Sequence, residues 1–266
     1  VSEWIAPGGG AWETASNWSV APVSAAGAAV LLGDYALAAP ATVTAFAPVT
    51  LGGVTFSSLL GYTLDGAGFT FDNGASAAYV AAEKGAHVIG APLTLSGALS
   101  AAPATGAALA LAGAGGGGGS LVKEGAGEII LSQPNTYGGG TRVKGGSIVL
   151  TASATLGSGP VTVDGGSGFR FGRTAPLTLS ANVTLATTGH FNAASNDVAL
   201  TGAIDWQGPS RALVKSGPYE LALSGSGAET ELSKLQVENG VLRFQSGADF
   251  SLLSTSDRDA VNMKAN

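Results

Sequence analysis

Leu121-Val122-Lys123-Glu124-Gly125 and Leu213-Val214-Lys215-Ser216-Gly217 are two copies of one phrase, and the likeness continues beyond each copy. An aliphatic alternation comes next, Ile129 and Leu131 after the first copy, Leu221 and Leu223 after the second. Then, 22 residues after Leu121 and 24 after Leu213, stand Val143-Lys144-Gly145-Gly146-Ser147-Ile148 and Val237-Glu238-Asn239-Gly240-Val241-Leu242. The common order is strand, turn, strand, and within Glu128-Ile129-Ile130-Leu131-Ser132 a period of two puts Ile129 and Leu131 on one face. The copies begin 92 residues apart, which suits about four coils of some 23 residues each, so a solenoid accounts for the phase better than a sandwich or a barrel. The expected fold is all-β: a right-handed, single-stranded parallel β-helix.

Outward from this repeat, similar short runs recur: Thr42–Phe46, Val49–Phe56, Tyr62–Phe71, Gly146–Leu150, Gly159–Val163, Pro176–Leu185 and Leu235–Phe244. Gly, Asn, Asp and Pro, residues that take the turns between faces, punctuate these runs, as Pro48, Asp72 and Asp164 do. Coils stacked at the spacing of hydrogen-bonded strands, roughly ten of them, give a rod on the order of 50 Å long. The open ends of such a rod are pairing templates and need covers. Residues 1–27 hold Trp4, Trp12 and Trp18, three of the four tryptophans, and are expected to cap the first coil. Residues 28–253 form the solenoid, with the repeats near 121–150 and 213–244. Residues 254–266 are a polar tail or the start of a further coil. The glycine run Gly113–Ser120 is expected to be a flexible loop inserted between coils.

Composition agrees with β structure and narrows the partners. The chain has 266 residues, 45% hydrophobic and only 11% charged, with 42 Gly and no Cys. The first basic residue is Lys84, and six acidic residues precede it, so the whole net charge of -6 lies in residues 1–83. The pI of about 4.8 and the lack of a basic run argue against nucleic acid and anionic lipid as partners. The most apolar stretch, Ala98–Ala114, is broken by Pro103 and Gly106 and is too short to span a bilayer, so no membrane insertion of this segment is expected. Without Cys there is no disulfide framework and no thiolate metal site. The N-terminus has neither Met nor a signal-like apolar run, so a signal peptide is expected upstream or already removed.

The segment Leu121–Leu150 resembles the autotransporter-associated β-strand repeat of passengers exported by type V secretion. The matching positions are Leu121, Lys123, Gly125, Gly127, Ile129, Leu131, Asn135, Tyr137, Gly139, Thr141, Val143, Gly146 and Ile148. The second copy matches at Leu213, Lys215, Gly217, Leu221, Leu223, Val237, Gly240 and Leu242, with Tyr219 in place of the second glycine and no Asn-x-Tyr-x-Gly-x-Thr. Trp4, Trp12-Glu13-Thr14-Ala15-Ser16-Asn17-Trp18-Ser19 and Pro22 resemble the opening of such passengers, as do Leu51–Phe56 and Gly61–Leu64. The resemblance implies a passenger segment at the surface of a Gram-negative cell, with an outer-membrane β-barrel further along the full-length protein. It implies a non-enzymatic stalk or adhesin, whose partner is a host-surface or extracellular-matrix ligand or another copy of itself. Two alternatives stand beside it: a polysaccharide-degrading β-helix, and a repeat that serves only passenger folding and secretion.

The enzymatic alternative needs convergent carboxylates. The nearest groupings are Asp164 with Arg170 and Arg173, and Asp197 and Asp205 with His190; turn formation is the favoured reading of each Asp. Gly157-Ser158-Gly159 reads as a turn rather than a nucleophile elbow. His87 and His190 lie far apart without partners for a metal, and Gly66–Asp72 does not repeat as a calcium motif should. No catalytic, cofactor or metal residue is therefore assigned, and no cofactor is expected. Tyr137 and Asn135 are expected to pack over a corner and bond backbone rather than to touch a ligand. The Trp trio is expected to be a hydrophobic cap rather than a sugar-stacking surface.

Overall fold

Alternation decides what goes inside. In Ala41–Ala45, Leu93–Leu95, Glu128–Leu131 and Val183–Leu185 every second side chain is buried, and the ones between are partly or fully exposed. The computed structural model describes residues 1–35, 37–206, 211–224, 227–228, 232–244 and 261–263. It is a parallel β-solenoid of about nine turns with almost no helix. Three faces run along it. The first sheet has 11 strands, from Ser2–Glu3 to Gly227–Ala228, and the second has 12, from Gly10–Ala11 to Val261–Met263. The third face consists of two four-stranded sheets. One contains Val49–Leu51, Phe69–Phe71, Leu93–Leu95 and Gly115–Gly116; the other contains Leu177–Leu179, Val198–Leu200, Glu220–Leu223 and Val241–Phe244.

Register gives the coil length. On the first sheet Val30, Val54, Val80, Ala101, Lys123, Val143, Val163 and Leu185 stand in one column, so coils vary between 20 and 26 residues. The reading of the 92-residue offset as four whole coils is therefore corrected. Lys123 lies on the first sheet and Lys215 on the second, so the copies are displaced by one face as well as by coils. Four of the short runs also turn a corner. Val49–Phe56 divides at Gly52, and Tyr62–Phe71, Pro176–Leu185 and Leu235–Phe244 divide likewise. A corner of one to three residues leaves the apolar pattern almost unbroken.

The glycine run needs the opposite correction. Gly115–Gly116 is a third-face strand paired with Leu93–Leu95, not part of an inserted loop. A Cβ on Gly113, Gly117 or Gly119 would press into the carbonyls of Ala91, Leu95 and Gly97 one coil earlier. The glycines allow close backbone stacking rather than flexibility.

The core is one continuous column, which includes Trp4 at one end and Leu235 towards the other. Ser2–Glu3 and Gly10–Ala11 extend the first and second sheets, and the indoles of Trp4, Trp12 and Trp18 are buried over them. Trp18 meets Trp4 and Trp12 edge-on, with ring centroids 5.0 and 4.7 Å apart. Two of their N–H groups are used internally, Trp4 donating to Gly8 O at 3.0 Å and Trp18 to Trp12 O at 2.8 Å. Of the tail, Val261–Met263 pairs with Leu232–Val237 on the second sheet, while 254–260 and 264–266 lie outside the described residues.

Candidate functional site

Turning the chain between faces leaves carbonyls with no ladder partner, and buried carbonyls need donors. The buried polar side chains sit at these turns. Tyr62 Oη donates to Gly33 O at 2.8 Å, and Ser167 Oγ to Val143 O at 2.8 Å. His87 lies stacked on Phe56, with ring centroids 4.5 Å apart, and receives Tyr62 N–H on Nδ1 at 3.1 Å. Its Nε2 is 2.8 Å from Lys84 O, which fixes the proton on Nε2. Burial pushes the His87 pKa down, so the ring is neutral.

Two corners use an ammonium instead. Lys123 and Lys215 are fully buried. Lys123 Nζ donates to Glu124 O at 2.6 Å and Gly125 O at 2.8 Å in its own turn, and to Gly145 O at 3.0 Å one coil later. Lys215 Nζ donates to Ser216 O and Gly217 O, both at 2.8 Å, and to Asn239 O at 3.0 Å. Three protons meet three carbonyls in each case. Burial pushes both lysines down to about 8, although Glu128 and Glu124 oppose the shift at Lys123. The left-handed glycines Gly125 and Gly217, with φ of 71° and 82°, let each turn fold back over its own lysine.

Asn135 and Tyr137 pin the corner that follows Leu131. Asn135 Oδ1 accepts Gly115 N–H at 2.8 Å, while Nδ2 donates to Gln133 O at 2.9 Å and Thr155 O at 2.7 Å, so one amide ties three successive coils. Tyr137 is buried with its hydroxyl 2.8 Å from Thr141 Oγ1.

Between Gly116 and Leu177 the third face has no strand. The coil at 132–140 still follows the ladder, Thr136 N–H donating to Gly115 O at 2.7 Å and Gly138 N–H to Gly117 O at 2.9 Å. The next coil is recessed. It is entered through Ala152, the only non-glycine with positive φ (47°) among the described residues, after which Ala154 and Leu156 are buried. Over it lies a depression of about 360 Å³ with Leu156, Leu177 and Leu179 in its floor and Thr136, Ser158 and Thr178 on its rim. No charged residue lines it.

The groupings considered for catalysis do not form. Asp164 accepts from Arg142 Nε at 2.7 Å and Nη2 at 2.5 Å, one coil back, and is not joined to Arg170 or Arg173. Arg170 reaches Glu128 at 3.5 Å across two coils, and Arg173 Nε donates to Ala175 O at 3.4 Å. Asp197 accepts Glu220 N–H at 2.9 Å at a turn, His190 is exposed on the second sheet, and Asp205 lies on the first. These three belong to different parts of the perimeter. Asp72 closes the turn after Phe71 by accepting Gly74 N–H at 2.9 Å. Among the described residues no group of three or more His, Asp and Glu side chains is placed to hold a metal ion, and no helix is long and apolar enough to cross a membrane.

A solenoid of this kind, with polar plugs at its corners and no convergent carboxylates among the described residues, has a relative among curated proteins. The similarity is to an autotransporter adhesin. Over 108 residues, 40% of this chain, the sequence is 31% identical to the adhesin BmaC autotransporter of Brucella suis biovar 1 (strain 1330). That stretch is 3% of the relative's length, so the likeness covers only a small part of it. No family model matches the chain, and no solved structure does. The resemblance of Leu121–Leu150 to the autotransporter-associated repeat thus rests on its own residues.

Proposed function

We propose that this chain is a segment of an autotransporter passenger displayed at the surface of a Gram-negative cell, where it acts as a non-enzymatic stalk with adhesive faces. The observation that carries the reading is the 31% identity to an autotransporter adhesin in a chain folded as a parallel solenoid. Further support comes from the engagement of Asp164, Asp197 and Glu128 in ion pairs and turns. The full-length protein would carry a signal peptide before this segment and an outer-membrane β-barrel after it. The partner would be a host-surface or matrix ligand, or a second copy of the rod, held by shape and neutral polar groups.

The test removes one coil without disturbing phase. Thr141 and Val161 are register partners, so deletion of 141–160 from the full-length protein joins equivalent points of successive coils. Labelling of intact cells reports display; attachment to cells or matrix, and clumping, report adhesion. The expected result is display retained with adhesion or clumping reduced. Loss of display itself assigns the coil to folding and secretion and removes the adhesive reading of this region.

A further inference from the structure

Asn-Gly occurs twice in the sequence, at Asn73-Gly74 and Asn239-Gly240. In such a pair the glycine, lacking a Cβ, leaves its backbone nitrogen open to approach the side-chain amide before it. At Asn73 the two groups are held apart. Gly74 N–H donates to Asp72 Oδ1 at 2.9 Å, and the Asn73 amide nitrogen donates to Ala77 O at 3.0 Å. At Asn239 they face each other. Gly240 N–H donates to Oδ1 of Asn239 itself at 2.7 Å, so the backbone nitrogen already lies against the amide it can attack. Asn239 and Gly240 are exposed, which gives water access to both. Behind them Lys215 Nζ donates to the main-chain oxygen of Asn239 at 3.0 Å. The matching place in the Lys123 corner is held by Gly145, which has no amide to react.

We propose that the Lys215 corner is a self-modification site, where Asn239 closes to a cyclic imide with Gly240 and water then opens the imide to isoaspartate. Gly240 N gives its proton to water as it bonds to Cγ of Asn239, and the side-chain nitrogen leaves as ammonia. The imide has two carbonyls, one at Cγ and one at the main-chain carbon of Asn239. Water attacking Cγ restores the ordinary chain with an aspartate. Water attacking the main-chain carbon instead breaks its bond to Gly240 N, and the chain thereafter runs through Cγ. The ammonium of Lys215 bonds the oxygen of this second carbonyl, so it stabilises the negative charge that develops there and favours isoaspartate. The α-carboxylate released stays against the ammonium, and a bond from a buried ammonium to a neutral carbonyl becomes a charge-assisted pair. The main chain lengthens by one atom at this corner, and the rod gains a negative charge there. The site goes beyond the adhesive reading and does not depend on it.

The test incubates the 266-residue chain at neutral pH, folded and in urea, and follows both asparagines by mass-spectrometric peptide mapping, with isoaspartate told from aspartate by isoaspartyl methyltransferase labelling. The chain in urea supplies the intrinsic rate of each Asn-Gly pair and its intrinsic isoaspartate share. In the folded chain, each site scaled to its own rate in urea, Asn239 should react at least about tenfold faster than Asn73. The isoaspartate share at Asn239 should exceed that found in urea. Lys215→Met should bring the share down to the urea value, whereas Lys123→Met, which weakens the other corner, should leave it unchanged. Should Lys215→Met fail to fold, the comparison of folded and urea-unfolded parent decides alone. Equal scaled rates at Asn73 and Asn239 overturn the proposal, as does an isoaspartate share in the folded chain no higher than in urea. A share unchanged in folded Lys215→Met, or lowered equally by Lys123→Met, overturns it too.

Discussion

The corner at Lys123 and the corner at Lys215 join different pairs of faces, first to second in one case and second to third in the other, yet their ammonium groups bind the same three kinds of carbonyl. Two of these belong to the lysine's own turn and one to the turn a coil later. The repeated phrase is therefore an instruction for closing a corner, and it carries no information about which corner. Geometry away from the lysine differs: Lys123 is followed by the Asn135 and Tyr137 pin, whereas the strand after Lys215 enters the regular third-face ladder at Glu220–Leu223.

Replacing either lysine with methionine is the strongest way to break the comparison. Each substitution leaves three part-buried carbonyls without their donor and should lower stability by on the order of 2 kcal/mol in urea unfolding. If the corners are independent, the double variant shows the sum of the two losses within about 0.5 kcal/mol. Gly146→Ala and Gly240→Ala come next. Their Cβ atoms would press into Gly127 O and Gly217 O, and lie 2.8 and 2.9 Å from Lys123 Nζ and Lys215 Nζ, at positive φ, so each should cost about 2 kcal/mol, and the two losses should match.

The neutral plug at His87 sharpens the contrast with the charged ones. Its folded pKa lies below the ordinary 6.5, so protons bind the unfolded chain first, and stability is lost as pH falls below 6.5. His87→Gln, which keeps an acceptor for Tyr62 N–H and a donor for Lys84 O, should flatten that loss between about pH 6.5 and 5 in thermal melts. The smallest effect is expected at the rim of the Lys123 corner, where Glu124 and Lys144 pair at 2.7 Å with both side chains well exposed. Glu124→Gln should change stability by less than about 0.5 kcal/mol at moderate salt.

Much of the fold was legible in sequence because period-two alternation is local: Ile129 and Leu131 share parity and are both buried. Phase was not legible. Coils of 20 to 26 residues make an offset of 92 ambiguous, and apolar continuity across Gly52 hides a corner inside one apparent strand. The glycine run misled because the same residue serves flexibility and close packing, and only the neighbouring backbone distinguishes them. Lysine burial was recoverable: Leu121 and Lys123 share parity, as do Leu213 and Lys215, which places both ammonium groups inward once the leucines are. The recess at Thr155–Ser158 left no such sign, since it depends on how three successive coils differ in path.

Ion pairs are a minor part of what binds coil to coil. The five resolved among the described residues are all at least partly open to solvent, whereas the ladders, the indole cap and the corner plugs rely on backbone groups and apolar burial. Dissolved ions screen the former and leave the latter almost untouched. A rod built so keeps its length and stiffness whether the surrounding medium is dilute or briny, which suits the cell-surface setting proposed for it, where no cytoplasm sets the ionic surroundings.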